Sequence, residues 1–235
     1  MDRFFATQLE QAQSSVVLDE MESHHLAKVL RKSLGDTVEL FDGRGQVAMA
    51  TVERISKREV QLRIVERSAA EPVSTPSVTL AVAPPKGDRF RWLVEKATEL
   101  GVDRLIPLET RRSVVSPRDG KLEKMRHAVI AACKQSRRNR LMEILDPLAW
   151  GELLDHWIPS HSTWLAHPTG ATWSEVQQGH DVASLLFVVG PEGGLTDEEV
   201  ESATAAGATP VSLGRNILRI ETAALAIAAA TGLNR

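Results

Sequence analysis

Along residues 77–235 the spacing of apolar positions changes period repeatedly. Short apolar runs occupy 77–83, 105–108, 162–166, 184–189 and 210–213, and stretches with apolar residues three and four apart lie between them. Runs of that length read as strands, and the longer spacing reads as helix. The helical stretches are 89–100, 121–138, 196–206 and 221–231, with Gly101, Gly207 and Gly232 standing where helix stops belong. In 121–138, Leu122, Met125, Val129 and Ala132 share one side. Strands alternating with helices predict an α/β domain, a parallel sheet with helices on both faces.

Residues 1–70 follow a different rule. The run 38–41 ends at Asp42-Gly43-Arg44-Gly45, a turn signal, and 46–52 and 60–65 are β-rich and partly alternating. This regular spacing predicts a small β-barrel. One amphipathic helix, 24–32, interrupts it and places Leu26, Val29 and Leu30 on one face. Residues 67–77, RSAAEPVSTPS, are small, polar and twice interrupted by proline, as a linker would be. The predicted division is therefore 1–70 and 71–235.

Composition excludes several classes. Cys133 is the single cysteine, so an internal disulfide or a cysteine-built metal site is ruled out. The opening MDRFFATQLEQAQ lacks a signal-peptide core, and no apolar run reaches the roughly 20 residues of a bilayer span. The expected setting is cytoplasmic, with no membrane partner and no metal. The net charge of −3 conceals an uneven distribution: residues 111–140 carry ten Lys or Arg against two acids. Such a block is either a solvated face or the footprint of a localised anionic partner.

The most unusual local signal is 184-SLLFVVGPEGGLTDEEV-200. The run 185–189 is apolar on both faces, as in a central parallel strand, and ligands of open α/β sheets bind outside the carboxyl ends of such strands. Gly190, Pro191, Glu192, Gly193 and Gly194 occupy that end, where glycine permits a tight turn and close approach of backbone to a ligand. Thr196 and Glu199 have capping-box spacing, so a helix starts just beyond. A plain strand-to-helix turn remains the alternative to a ligand site. Neither a phosphate loop nor a dinucleotide fingerprint is present. A carboxylate without a lysine suits a ligand bearing little or no negative charge. Two further loops stand in the same relation to their strands: Gly214 onward after 210–213, and 164-WLAHPTG-170. The alanine-rich helix that follows Gly214, with Ala224 and Ala228, reads as tight packing or as a dimer interface.

Together these residues resemble the RsmE family, bacterial methyltransferases that modify N3 of a uridine in small-subunit ribosomal RNA. The resemblance runs from Arg3-Phe4, His25-Leu26, Val29-Leu30-Arg31, Gly35-Asp36 and Leu40-Phe41-Asp42-Gly43 to Lys86-Gly87-Asp88, Lys96-Ala97-Thr98-Glu99-Leu100-Gly101-Val102 and Pro107-Leu108. Its most specific part is the loop at Gly190, then Leu213-Gly214, Ile217-Leu218-Arg219 and Glu221-Thr222-Ala223. It implies a PUA-like β-barrel over 1–70 and a SPOUT-type α/β domain with a trefoil knot over 71–235. It also implies a homodimer, S-adenosylmethionine as methyl donor and ribosomal RNA, within the small subunit, as partner. Where the family has Glu-Gln-x-Gly-Arg, this chain has Lys134, Gln135, Ser136, Arg137 and Arg138; a proline near Met142 is absent, Arg215 replaces another proline, and Ile220 replaces a threonine.

By match, Leu165, Ala166 and His167, then Gly190, Pro191, Glu192 and Gly193, then Leu213, Gly214, Ile217 and Leu218 are expected to hold the cofactor. Arg138 and Arg219 are candidates for stabilising charge on the uracil oxygens. Glu221 is a candidate base or a helix N-terminal acid. Arg31, Arg111, Arg112, Lys121, Lys124, Lys134, Gln135 and Arg137 are expected to contact RNA. With no tyrosine in the chain, base stacking is expected to be minor. A catalytically altered RNA-binding ribosome assembly factor is the competing reading, motivated by the departures at 134–142 and 215, and a small-molecule enzyme is a third.

Overall fold

The computed structural model describes residues 1–117, 119–176 and 183–232. The chain forms two compact units: residues 1–73 with 133–141, and residues 74–132 with 142–235. The boundary between residues 73 and 74 falls within the 67–77 segment, and residues 133–141 belong to the first unit.

The first unit is built on β1 (Arg3–Phe5), β2 (Ser15–Val17), α1 (Glu20–His24), β3 (Thr37–Phe41), β4 (Val47–Ile55) and β5 (Val60–Arg67). Its curled five-stranded sheet has the order β1-β3-β4-β5-β2. The pair β1–β3 is parallel; the remaining pairs are antiparallel. Burial alternates along β4, so one face carries Ala48, Ala50 and Val52 into a core with Phe4, Leu26, Leu40 and Leu62. The helix begins earlier than its apolar spacing suggests, because Asp19 caps it by accepting from the Glu22 amide at 2.8 Å. It then widens into a π-helical turn over His25–Val29. That widening breaks the 3.6-residue spacing: Leu26 is buried, whereas Val29 is 59% exposed.

The second unit is built on β6 (Ser77–Val82), α2 (Arg89–Glu99), β7 (Arg104–Glu109), α3 (Asp119–Ser136), β8 (Glu143–Ile144), β9 (Leu148–Ala149), α4 (Trp150–Glu152), β10 (Ser162–Thr172), α5 (Trp173–Val176), β11 (Ser184–Val189), α6 (Asp197–Ala205), β12 (Thr209–Ser212) and α7 (Ile220–Gly232); α3 runs on into the first unit at Cys133. The sheet order is β12-β10-β11-β6-β7-β8, with β9 also on β7, and every pair is parallel. Leu186 and Val188 pack with Ala203 of α6, and the alternate residues Leu185, Phe187 and Val189 are buried as well. The strand is thus covered on both faces, which explains its unbroken apolar run. The helix α7 packs on α2, β6 and β11, and Ala224 and Ala228 are buried within this chain. For those two alanines tight internal packing, not a dimer contact, is the outcome. Among the described residues no helix is long and apolar enough to cross a membrane. No cluster of His, Cys, Asp and Glu that could hold a metal occurs among them either.

Candidate functional site

The carboxyl ends of β10, β11 and β12, three adjacent parallel strands, open onto one cleft of about 1020 Å³. The strand β10 loses its register with β12 between Ala166 and Ala171, and the excursion carries His167 and Pro168 to the cleft wall. Gly170 closes the excursion against the neighbouring strand, where a Cβ would lie 2.4 Å from backbone atoms of Pro210 and Val211. After β11 the chain turns tightly: the Gly194 amide donates to the Pro191 carbonyl at 2.9 Å, with Gly194 at φ +70. Thr196 and Glu199 then form the predicted capping box of α6. After β12, residues 213–218 make the third wall and α7 the floor, through Ile220, Ala223, Ala226 and Ala230.

Of the residues expected to hold a cofactor, Ala166, His167, Gly190, Pro191, Glu192, Gly193, Leu213, Gly214, Ile217 and Leu218 all line this cleft. Leu165 lies fully buried in the core beneath it. Sequence reading missed Thr172, Trp173, Ser174 and Leu195 on the wall. Trp173 packs on the Phe187 ring at 5.9 Å, so its place depends on a strand residue distant in sequence. For Ala223, Ala226 and Ala230 a signal existed: their spacing puts them on one helical face.

Charge on the cleft comes from a few side chains, and most are already engaged. Arg112 donates through Nη1 to the Gly193 carbonyl at 2.7 Å and also lines the cleft. The preceding amide, of Arg111, donates to Glu199 Oε1 at 2.8 Å, while Glu199 Oε2 accepts from the Thr196 amide at 2.8 Å. One buried carboxylate therefore fastens the 110–112 turn to the start of α6. The Arg111 guanidinium is paired with Glu198. Glu192 is paired with Arg89 at 3.1 Å. Glu221, in the first turn of α7, stands 3.6 Å from Arg89 and is not on the cleft wall. Arg219 is exposed.

The other end of the cationic block belongs to the first unit. Arg3, buried on β1, donates through Nη1 to the carbonyls of Cys133 and Arg138, each at 3.1 Å, and through Nη2 to Asn139. Its Nε is 2.9 Å from Glu39, and its guanidinium sits 4.2 Å from the Phe41 ring centroid. Burial pushes the Arg3 pKa down, and the Glu39 carboxylate opposes that. Arg137, between the residues Arg3 binds, sits at φ +62, in the left-handed region that favours glycine. Lys134 donates to both oxygens of Glu22 at 2.8 Å and stands 3.2 Å from His25 Nδ1. The His25 pKa is lowered, first by burial and then by the Lys134 charge. Arg140 donates to the carbonyls of Glu71 and Pro72. By contrast, Lys124, Gln135, Arg137 and Arg31 are exposed, and Lys121 is partly so, lying over the Phe90 ring at 5.6 Å.

Comparison with known proteins agrees with this layout. Residues 72–232 match the family described as RNA methyltransferase domain, and residues 18–65 match that described as RNA methyltransferase PUA domain. A curated relative from Synechocystis, ribosomal RNA small subunit methyltransferase E, is 34% identical over 90% of this chain and 70% of its own. Its namesake from Bacillus subtilis is 32% identical over 96% of this chain and 93% of its own. The crystal structure of ribosomal RNA small subunit methyltransferase E from Neisseria gonorrhoeae bound to S-adenosyl methionine superposes with a TM-score of 0.90. It is 30% identical and covers 100% of this chain and 98% of that one.

Proposed function

The chain belongs to the ribosomal RNA small subunit methyltransferase E family, and from that premise we propose that it methylates N3 of a uridine in small-subunit ribosomal RNA, with S-adenosylmethionine as donor. The observation that carries the reading is the cleft at the ends of β10, β11 and β12, walled by the glycine loop, by 213–218 and by apolar side chains beside Arg112, Glu192 and Arg215. Its lining suits the donor: a nucleoside can be read by backbone groups of the glycine loop and 213–218 and covered by Leu213, Ile217 and Leu218. Of the arginines on the wall, Arg112 is engaged by the Gly193 carbonyl and Arg215 is exposed.

The donor supplies an electrophilic methyl on a sulfonium. The protein must align the nucleophile and help N3 lose its proton, because the N3 lone pair is delocalised into the flanking carbonyls. Arg138 and Arg219 are proposed to stabilise the charge that develops on the uracil oxygens. Glu221 is nearly buried and partnered by Arg89, which favours a supporting role for it over that of a base. RNA is proposed to lie along the solvent-accessible cations of α3, chiefly the exposed Lys124 and the partly exposed Lys121, with Arg31, Gln135 and Arg137 as further contacts.

The finer architecture belongs to the same proposal. The curled sheet of the first unit and its match to a PUA family support a PUA-like barrel. The path of the last segment supports a SPOUT-type trefoil knot: from edge strand β12 the chain passes along the cleft and returns as α7 against β6, β11 and α2. The working unit is proposed to be a homodimer. Mass spectrometry of ribosomal RNA nucleosides from a strain lacking the gene tests the activity. The expected result is loss of 3-methyluridine, restored by the wild-type gene; unchanged 3-methyluridine would remove the proposal. Calorimetry with S-adenosylmethionine separates an enzyme from an RNA-binding assembly factor, which would bind none.

A further inference from the structure

Two carboxylates flank the cleft. Glu192 sits at the middle of the glycine loop, on the wall, and Glu221 opens α7 just past the third loop. One guanidinium serves both. Arg89, the first residue of α2, places Nη2 3.1 Å from Glu192 Oε1 and Nη1 3.6 Å from Glu221 Oε1. Among the described residues it is the one cation within ion-pair distance of either. The Glu221 side chain is 8% exposed, and its Oε2 is buried with no hydrogen-bond partner among them. A buried carboxylate so poorly satisfied depends on its cation. Arg89 itself does not line the cleft.

We propose that Arg89 is a positioning residue that clamps the glycine loop to the start of α7 and so holds the cleft at the spacing the cofactor requires. The two loops leave separate strands, and their backbones must be in place before a nucleoside can bridge them. A planar guanidinium presents fixed donors on separate nitrogens, so each carboxylate meets its own nitrogen, whereas an ammonium would have to serve both from a single point. Holding both loops in advance removes an ordering cost from binding. The proposal rests on the cleft being the cofactor site, and it acts on the methylated cofactor and its demethylated product alike, because spacing is blind to the sulfonium charge.

Calorimetric titration of the full-length protein with S-adenosylmethionine and with S-adenosylhomocysteine tests it, using wild type, R89A, R89K, E192Q and the R89A/E192Q double variant. Absence of binding by wild type would remove the cofactor reading itself. Given wild-type binding, R89A is expected to weaken both ligands about tenfold or more and by the same factor, with R89K recovering only part. E192Q alone is expected to weaken both severalfold. The double variant should lose less than the product of the single losses, since the two residues share one contact. Wild-type affinity in R89A would overturn the proposal. So would losses that multiply in the double variant, or unequal losses for the two ligands, which would make Arg89 a charge-tuning group. Should R89A fail to fold, R89K and E192Q decide the matter by the same criteria: equal losses for both ligands support the clamp, and wild-type affinity in both variants overturns it.

Discussion

The cleft and the 133–141 segment hold their shape by different balances of backbone and side chain. Around the cleft backbone geometry sets the course of the chain, through a register break in β10, a turn closed from Gly194 to Pro191, and glycines with neighbours too close for a side chain, and a few side chains then fasten the loops. In 133–141 it is shaped by charged side chains reaching in from residues far away in sequence, Arg3, Glu22 and Glu39. The contrast divides the cationic block by function. At its start, Arg111 and Arg112 are tied to the glycine loop and α6; at its end, Lys134 and Arg140 are tied into the first unit. The middle, on α3, keeps cations facing water. A run of like charge therefore marks where cations are, and their partners decide which are free for phosphate.

The largest effect is expected where side chains alone hold the backbone. Arg3→Ala leaves two carbonyls, Asn139 and Glu39 without their donor, and removing one member of a buried charged network costs about 3–5 kcal/mol. Urea unfolding should show that loss. A loss under about 1 kcal/mol would mean that 133–141 holds itself. At the cleft the expected damage is to binding and not to folding. In Gly193→Val, the added Cβ meets the Arg112 side chain at 3.4 Å and the branches enter the cleft. S-Adenosylmethionine affinity should fall at least tenfold, about 1.4 kcal/mol, with little change in the unfolding midpoint. Unchanged affinity would show that the ligand does not approach this loop.

A smaller effect separates free from committed cations. Log affinity for single-stranded RNA falls with log salt at a slope of roughly −0.7 per phosphate contact. Replacing Lys121 and Lys124 together by alanine should flatten that slope by about 1 to 2 units. Lys134→Ala should leave the slope unchanged and reduce stability instead, because it strands Glu22. Equal flattening in both variants would erase the distinction.

The smallest expected effect is on pH dependence. Burial and the Lys134 charge lower the His25 pKa below the ordinary 6.5. As pH falls through 6.5 the unfolded chain takes up the proton first, so the folded state loses stability from there down to the folded pKa; above 6.5 the contribution is constant. Denaturation at pH 7.5 and 5.5 should show this loss in wild type and not in His25→Asn. A loss of the same size in both would place the titrating group elsewhere.

What the sequence made legible follows the same contrast. The parallel sheet, the capping box at Thr196 and the loops at 190–194 and 213–218 are local patterns, because strand length, glycine and capping chemistry act within a few residues. The clamp by Arg3 joins residues more than a hundred positions apart, and no spacing signals it. The helix after Asp19 departs from the apolar spacing for a related reason: a π turn has no fixed apolar period, so the shared face of Leu26, Val29 and Leu30 does not survive and Val29 and Leu30 are exposed. Arg112 was legible as a cation, but its approach to the Gly193 carbonyl exists only once β7 and β11 lie in one sheet.

The proposed reaction is methyl transfer to uridine N3 from a donor held in the glycine-loop cleft. Small ribosomal subunits from the deletion strain, incubated with the purified protein and isotopically labelled S-adenosylmethionine and then digested to nucleosides, test it most directly. The expected result is label in 3-methyluridine with wild type and little or none with Gly193→Val. Label in a different nucleoside, no label with wild type, or equal label with Gly193→Val would contradict it.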